Sequence, residues 1–245
     1  MLPELLSIGD LIIYAYPLFL GLAWGAGYAH ILHQIQKYKL EQTGIHGFLI
    51  GVFIAAWVGA KLFFLLFSYR VPELLMYSSF WLGGGFVFYG GLIFGMLFSF
   101  VYCVILKKHP YRNLVYYIPS VCYGHAIGRV GCFLAGCCFG NKCDLPFLRT
   151  LHIYNHPVQL YEAAGLLFIG KYIAVYLEKS RQIVDGVTIY LIGYSLLRFI
   201  LEFLRGDTIR GNYGIFSSSQ WVSIFIMITV LSWKFLHGRK KSTLE

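Results

Sequence analysis

Several ionisable side chains lie within or beside long apolar runs of this chain, where charge is costly. They include Lys61, Arg129, Glu162, Lys171, Arg198 and Glu202. A charge at the centre of a bilayer costs about 2.5–3.5 kcal/mol on insertion scales, so such residues usually face a hydrated cavity and serve a function. Arginine remains charged and offers planar, forked donors that suit a phosphate. These residue types therefore predict an anion-binding site within a membrane.

The sequence YSLLRFILEFLR places four of the polar residues on one face of a helix. Tyr194, Arg198, Glu202 and Arg205 follow one another at intervals of four, four and three residues, and such spacings recur along one side of a helix. One interpretation is an ion pair between Arg198 and Glu202 that neutralises both charges. The other is an anion bound by two guanidiniums, with the carboxylate positioning them or accepting a proton. The two interpretations are compatible.

Residues 128–140, GRVGCFLAGCCFG, combine Arg129 with three cysteines, and Cys143 follows. The cysteines lack the paired spacing of zinc-binding motifs, so we expect no metal site. A disulfide such as Cys138–Cys143 is an alternative in an oxidising compartment. We expect Arg129 to be the functional residue of this stretch.

The elements that carry these residues are predicted to be membrane-spanning helices. With 58% hydrophobic and 13% charged residues among 245, the chain is too apolar for a water-soluble domain. Seven apolar runs approach the length of about 20 residues that spans a bilayer. They cover about 11–32, 44–68, 84–106, 114–136, 158–177, 186–204 and 219–236. The sequence therefore predicts an all-α, polytopic membrane protein that forms one domain over residues 1–245.

Basic residues are concentrated in alternate loops and in the tail. The members of this set are Lys37, Lys39, Lys107, Lys108, Arg112, Lys179, Arg181, Arg239, Lys240 and Lys241. Because positive loops stay in the cytoplasm, the N-terminus is predicted outside and the C-terminus inside. The net charge of +9 thus indicates topology rather than nucleic-acid binding. This orientation brings Lys61, Arg129, Glu162 and Arg198 to the outer side of four separate spans.

The glycine-rich segment GGGFVFYGGLIFG of residues 83–95 predicts close packing of the third helix against its neighbours. Tyr89, in the middle of this segment, is expected to bring a hydroxyl group to the outer end of the helix.

Three motifs in order resemble those of the prolipoprotein diacylglyceryl transferase family of bacterial inner membranes. They are GRVGCFLAGCCFG at 128–140, HPVQLYE at 156–162 and YSLLRFILEFLRGD at 194–207, with DG at 185–186 before the last. The resemblance extends from GAKLFFLLFSY of the second run to Asp207. It implies transfer of a diacylglyceryl group from phosphatidylglycerol to the lipobox cysteine of a prolipoprotein signal peptide, which forms a thioether and releases glycerol phosphate. No cofactor is implied, and the partners are membrane lipid and the exported prolipoprotein.

By this resemblance, the residues expected to be catalytic are Arg129, Arg198, Glu202 and Tyr89. Those expected to bind substrate are His156, Gln159, Tyr161, Glu162, Tyr194, Arg205, Lys61, Gly131 and Gly140.

The chain also departs from the family pattern at four positions. Tyr89 stands where the family usually has a histidine, Cys132 replaces an asparagine, Cys137 replaces a glutamate and Lys61 replaces an arginine. The proton acceptor therefore remains open among Glu202, Glu162, water and the phosphate. Two alternatives follow: a paralogous transferase with another acceptor or lipid donor, and a non-enzymatic membrane protein that binds lipid or metal.

Overall fold

The computed structural model describes residues 4–8, 11–41, 43–67, 86, 88–105, 113–180, 183–206 and 212–242. Within these ranges the chain forms eight α-helices and two short antiparallel hairpins. The helices are α1 Ala15–Tyr38, α2 Ile45–Phe67, α3 Phe88–Ile105, α4 Leu114–Leu134, α5 Pro146–Thr150, α6 Val158–Ser180, α7 Ile183–Glu202 and α8 Ser218–Ser242. The strands are β1 Glu4–Ile8, β2 Leu11–Tyr14, β3 Asn212–Tyr213 and β4 Phe216–Ser217.

The predicted helical architecture is confirmed, since a helix of 18 or more residues lies over each of the seven apolar runs. Among the described residues, three segments are long and apolar enough to cross a membrane: Ile45–Leu66, Val158–Lys179 and Ser218–Leu236. A shorter apolar helical segment covers Ile93–Ile105. Crossing by the remaining helices, and the orientation of the termini, stay predictions.

The predicted N-terminal boundary of the first span, at about residue 11, is wrong, because the helix begins at Ala15. Residues Leu11–Tyr14 form a strand that pairs with Glu4–Ile8 instead of the first turn of a helix. The segment LIIY holds β-branched and aromatic side chains, which fit a pleated strand better than a helix end. The first helix consequently begins at Ala15 and continues to Tyr38.

Helix α4 lies at the centre of the packing, with α1 on one side and α6 on the other. The core between α4 and α6 is formed by Val115, Ile118, Cys122, Ile169, Ile173 and Leu177. Helix α7 packs on α6 and α8 packs on α7, while α2 and α3 form a second close pair. The elements that hold Arg129, Glu162 and Arg198 are therefore direct neighbours.

Glycines allow α2 and α3 to approach each other closely, as the glycine-rich sequence predicts. A β-carbon at Gly59 would collide with the carbonyl oxygen of Gly90, and one at Gly90 would collide with the carbonyl of Gly59. The two backbones are thus in direct contact, an arrangement common in membrane helix pairs.

Large apolar side chains cover much of the outer surface. Leu66, Phe100 and Phe168 are 75%, 66% and 73% exposed. Exposed apolar side chains in such number would be costly in water and are favourable against lipid tails.

Candidate active site

The carboxylate of Glu162, in the first turns of α6, is the centre of a polar cluster formed by three helices. Arg129 of α4 donates from Nη2 to Glu162 Oε2, and Arg198 of α7 lies 3.4 Å from the same oxygen through Nη1. The Tyr194 hydroxyl donates to Glu162 Oε1 at 3.0 Å. His125 Nε2 lies 3.8 Å from Oε1. One carboxylate therefore connects α4, α6 and α7.

A second carboxylate, Glu202, continues this network towards the end of α7. Its Oε2 lies 2.9 Å from Arg198 Nη2 and 3.9 Å from Arg205 Nε. The Ser217 hydroxyl donates to Glu202 Oε1 at 3.0 Å. The intrahelical pair between Arg198 and Glu202 that the spacing predicted is confirmed, and Arg198 bridges the two carboxylates.

We refer to Arg129, Glu162, Arg198, Glu202 and Arg205 as the arginine–glutamate cluster. Their side chains are between 1% and 13% exposed. Arg129 Nε is buried without a hydrogen-bond partner among the described residues. Because a buried donor without a partner is costly, the cluster is suited to receive an anion at this nitrogen.

The loops beside the cluster are held together by backbone hydrogen bonds. Gly140 N–H donates to the His156 carbonyl at 2.9 Å, and His156 N–H donates to the Asn141 carbonyl at 2.9 Å. Asn141 N–H donates to the Leu204 carbonyl at 2.8 Å. The segment after α4 is thereby fixed to the start of α6 and the end of α7, so the three helices that carry the cluster are held in register.

Gly140 lies at the most crowded point of this junction, and we predict that Gly140→Ala disrupts it. A β-carbon there would lie 2.5 Å from the Leu204 carbonyl oxygen and 2.7 Å from both His156 Cβ and Val158 Cγ2. Overpacking of this kind costs about 1–3 kcal/mol, so we expect lower thermal stability in detergent together with reduced activity. Gly25→Ala is the matched control, because nothing lies within 4 Å of a β-carbon at that position. Equal melting temperatures for the two variants would contradict the prediction.

The other residues of the middle motif lie around the cluster. Gln159 is fully buried and donates from Nε2 to the Cys137 carbonyl at 2.5 Å, which ties α6 to the loop after α4. His156 Nδ1 and the Tyr161 hydroxyl are 3.5 Å apart. These contacts support the site, and the predicted role of the three residues in substrate binding stays a prediction.

The roles of three further predicted site residues, Lys61, Gly131 and Tyr89, stay predictions. Lys61 is buried in α2 with Nζ 4.0 Å from the centroid of the Phe86 ring. A β-carbon at Gly131 would lie 2.6 Å from Phe19 Cβ, so this glycine allows α1 and α4 to pack closely. Tyr89 belongs to the first turn of α3, and its side chain lies outside the described part of the structure.

The cysteines of the glycine-rich stretch are close to one another and unpaired. All six cysteines are free thiols, including Cys138 and Cys143. The thiols of Cys132, Cys137 and Cys138 interact with one another, and Arg129 Nη1 lies 4.0 Å from Cys132 Sγ. Within the described ranges, no group of three or more His, Cys, Asp or Glu residues could hold a metal ion.

Sequence reasoning missed the position of His125. The sequence analysis assigns it no role, yet it lies beside Glu162, and its ring centroid is 5.3 Å from that of Tyr194. The spacing could have indicated this position, because His125 precedes Arg129 by four residues and therefore shares a face of α4 with it. Ser217 and Ser219 were also missed, and they contact Glu202 and Arg198 from the start of the last helix.

Comparisons with a family model and with individual proteins all indicate the same family. The sequence model of the prolipoprotein diacylglyceryl transferase family matches residues 3–235. A relative from Clostridium tetani, named phosphatidylglycerol--prolipoprotein diacylglyceryl transferase, is 31% identical over 240 residues, which covers 93% of this chain and 94% of the relative. A relative from Clostridium perfringens, named phosphatidylglycerol--prolipoprotein diacylglyceryl transferase 2, is 28% identical over 91% of this chain and 90% of its own. A third, from Finegoldia magna, carries the same name as the first and is 29% identical over 91% of this chain and 90% of its own.

Proposed function

The chain belongs to the prolipoprotein diacylglyceryl transferase family, and we propose that its arginine–glutamate cluster binds the phosphate of phosphatidylglycerol during transfer. The activity is that of a membrane transferase: the diacylglyceryl group passes from phosphatidylglycerol to a cysteine thiol of a prolipoprotein. The proposal concerns which residues of this chain carry that reaction, and on which side of the membrane.

The single observation that carries the assignment is the convergence of Arg129 and Arg198, from separate helices, on Glu162. A thiolate attacks the glyceryl carbon that bears the phosphate ester, the new S–C bond forms, and the C–O bond breaks. Its electron pair passes to the phosphate oxygen, so negative charge grows on the leaving glycerol phosphate. Guanidiniums fixed in a water-poor site stabilise such charge without reorganising.

Glu162 and Glu202 hold the arginines in position rather than react themselves. Each carboxylate is shared between two guanidiniums and accepts a hydrogen bond from a hydroxyl group. A lipid phosphate would bind to arginine N–H groups that remain, such as Arg129 Nε. The lipobox peptide would then approach along the faces of α4 and α7 that carry the cluster.

We place the protein in the bacterial inner membrane with seven spans, the N-terminus outside and the cluster near the outer surface. The alternating distribution of basic residues supports this orientation. An exported prolipoprotein and the outer-leaflet lipid would both reach the site from that side.

A labelling experiment tests the orientation. Cys137 is exposed in the loop after α4, so a membrane-impermeant maleimide added to intact spheroplasts should label it. In a Cys137→Ser/Cys138→Ser background, Lys179→Cys should be labelled only after permeabilisation, because Lys179 lies at the opposite end of α6, about 30 Å away at 1.5 Å per residue. The reverse pattern of labelling would contradict the orientation.

The function itself is tested with purified protein, phosphatidylglycerol and a synthetic peptide that contains a lipobox. Mass spectrometry should show a diacylglyceryl adduct on the peptide cysteine, and glycerol phosphate should be released in equal amount. A folded protein that yields no adduct would contradict the proposed function.

A further inference from the structure

His125 is a titratable side chain beside the arginine–glutamate cluster that phosphate binding leaves without a role. Its ring is in contact range of Glu162 and Tyr194, and its side chain remains 32% exposed. The charged or titratable groups that face it are Glu162 from α6, Arg198 and Tyr194 from α7, and Arg129 from its own helix. It is therefore a histidine that reaches the site and is still partly accessible.

The two carboxylates of the cluster are poorly placed to accept a proton from a thiol. Glu162 Oε2 is shared by Arg129 and Arg198, and Glu162 Oε1 accepts from Tyr194. Glu202 is held between Arg198 and Arg205 and accepts from Ser217. Ion pairs of this kind stabilise the carboxylate and make it a weaker base. His125 is an imidazole beside Glu162 to which no guanidinium hydrogen-bonds among the described residues.

The position of His125 along the helix suits the geometry of the reaction. His125 precedes Arg129 by four residues on α4, and Tyr194 precedes Arg198 by four on α7, so both lie about 6 Å from the arginines towards the middle of their helices. A lipid whose phosphate lies between the guanidiniums points its acyl chains in that direction. The glyceryl carbon that is attacked lies on this side of the phosphate, and the thiol must approach it opposite the leaving oxygen.

We propose that His125 is the base that deprotonates the lipobox cysteine, with Glu162 orienting its imidazole. This inference rests on the proposed function. Nε2 carries its proton towards Glu162, and Nδ1 takes the proton of the cysteine S–H. The thiolate then forms the S–C bond while the C–O bond breaks, and the imidazolium passes its proton to the departing glycerol phosphate. Glu162 stabilises the transient imidazolium, as a carboxylate does for a catalytic histidine elsewhere.

The test compares His125→Gln, His125→Ala and the wild type in the peptide assay. General-base catalysis contributes about 10²–10⁴-fold, so we expect kcat to fall by at least about 10²-fold in both variants. The KM for phosphatidylglycerol in mixed micelles should change little, because the phosphate-binding arginines are intact. Added imidazole should restore part of the activity of His125→Ala. The remaining activity of His125→Gln should rise with pH towards about 8.5, where a free thiol ionises by itself.

His33→Gln is the matched control, because His33 is an exposed histidine of α1, and it should retain wild-type activity. A His125→Gln variant with at least half of the wild-type kcat would overturn the inference. So would a loss of activity that neither imidazole nor raised pH relieves, because that result indicates a structural role. An inactive wild type would instead contradict the proposed function, so the two failures are distinguishable.

Discussion

The Arg129→Ala variant is expected to lose transfer activity by about 10³-fold or more while its helices remain folded. Removing one preorganised donor from a site that stabilises growing negative charge costs about 10²–10³-fold in rate. Arg129 also supplies a full positive charge, and it supplies the buried Nε that has no partner among the described residues. The measurement is the rate of adduct formation on the lipobox peptide at saturating phosphatidylglycerol.

Arg149→Ala is the control for this variant. Arg149 is exposed and pairs with Asp144 at 2.6 Å in the loop region after α4, so its removal should leave both activity and stability near wild type. Circular dichroism and size-exclusion chromatography in detergent verify that the Arg129→Ala variant is folded. Full activity in that folded variant would refute the role assigned to Arg129.

The Glu162→Gln variant should lose stability and activity together. A neutral amide keeps the shape of the side chain but removes the charge shared by Arg129 and Arg198. Breaking a buried ion pair by neutralising one partner costs about 3–5 kcal/mol, because the remaining charge is left uncompensated. Three guanidiniums would then face one carboxylate, and the repulsion would separate α4 from α7. We expect a lower melting temperature in detergent and activity below about 1% of wild type.

Glu178→Gln provides a matched control within the same helix. Glu178 pairs with Lys37 at the surface, where both side chains are well exposed, so the same chemical change should cost at most about 1 kcal/mol. The same substitution is thus compared at a buried carboxylate with several partners and at an exposed one paired with Lys37. Comparable melting temperatures for Glu162→Gln and Glu178→Gln would show that Glu162 does not connect the helices as described.

The row of polar residues along one face of α7 could be predicted from spacing alone. Arg198 and Glu202 are one turn apart, and contacts within a helix follow directly from its period. The pair forms as expected, and Arg205 joins it from the residues just after the helix.

The central place of Glu162 could not be predicted in the same way. The predicted topology places Arg129, Glu162 and Arg198 at a similar depth, but contact among them also requires that α4, α6 and α7 turn the right faces towards one another. Those rotations depend on packing between helices, such as the core that α4 and α6 share, and periodicity within one helix does not determine them. For the same reason the sequence could not predict that Lys61 Nζ packs over the Phe86 ring, and a role of Lys61 at the site stays a prediction.

The hairpin at the start of the chain and the junction at Gly140 are also non-local features. The apolar segment LIIY is compatible with the first turn of a helix, and only its pairing with Glu4–Ile8 identifies it as a strand. The backbone bonds that join Gly140, His156 and Leu204 link residues far apart in sequence. The motifs identified these residues, and the structure supplies the reason that a glycine is required at 140.

A structure of the protein with bound phosphatidylglycerol is the most direct test that the arginine–glutamate cluster binds the lipid phosphate. We predict that phosphate oxygens lie about 2.7–2.9 Å from guanidinium nitrogens of both Arg129 and Arg198, the range of charge-assisted hydrogen bonds. The acyl chains should then run past His125 and Tyr194. A phosphate bound elsewhere, with the two guanidiniums facing separate cavities, would contradict the account.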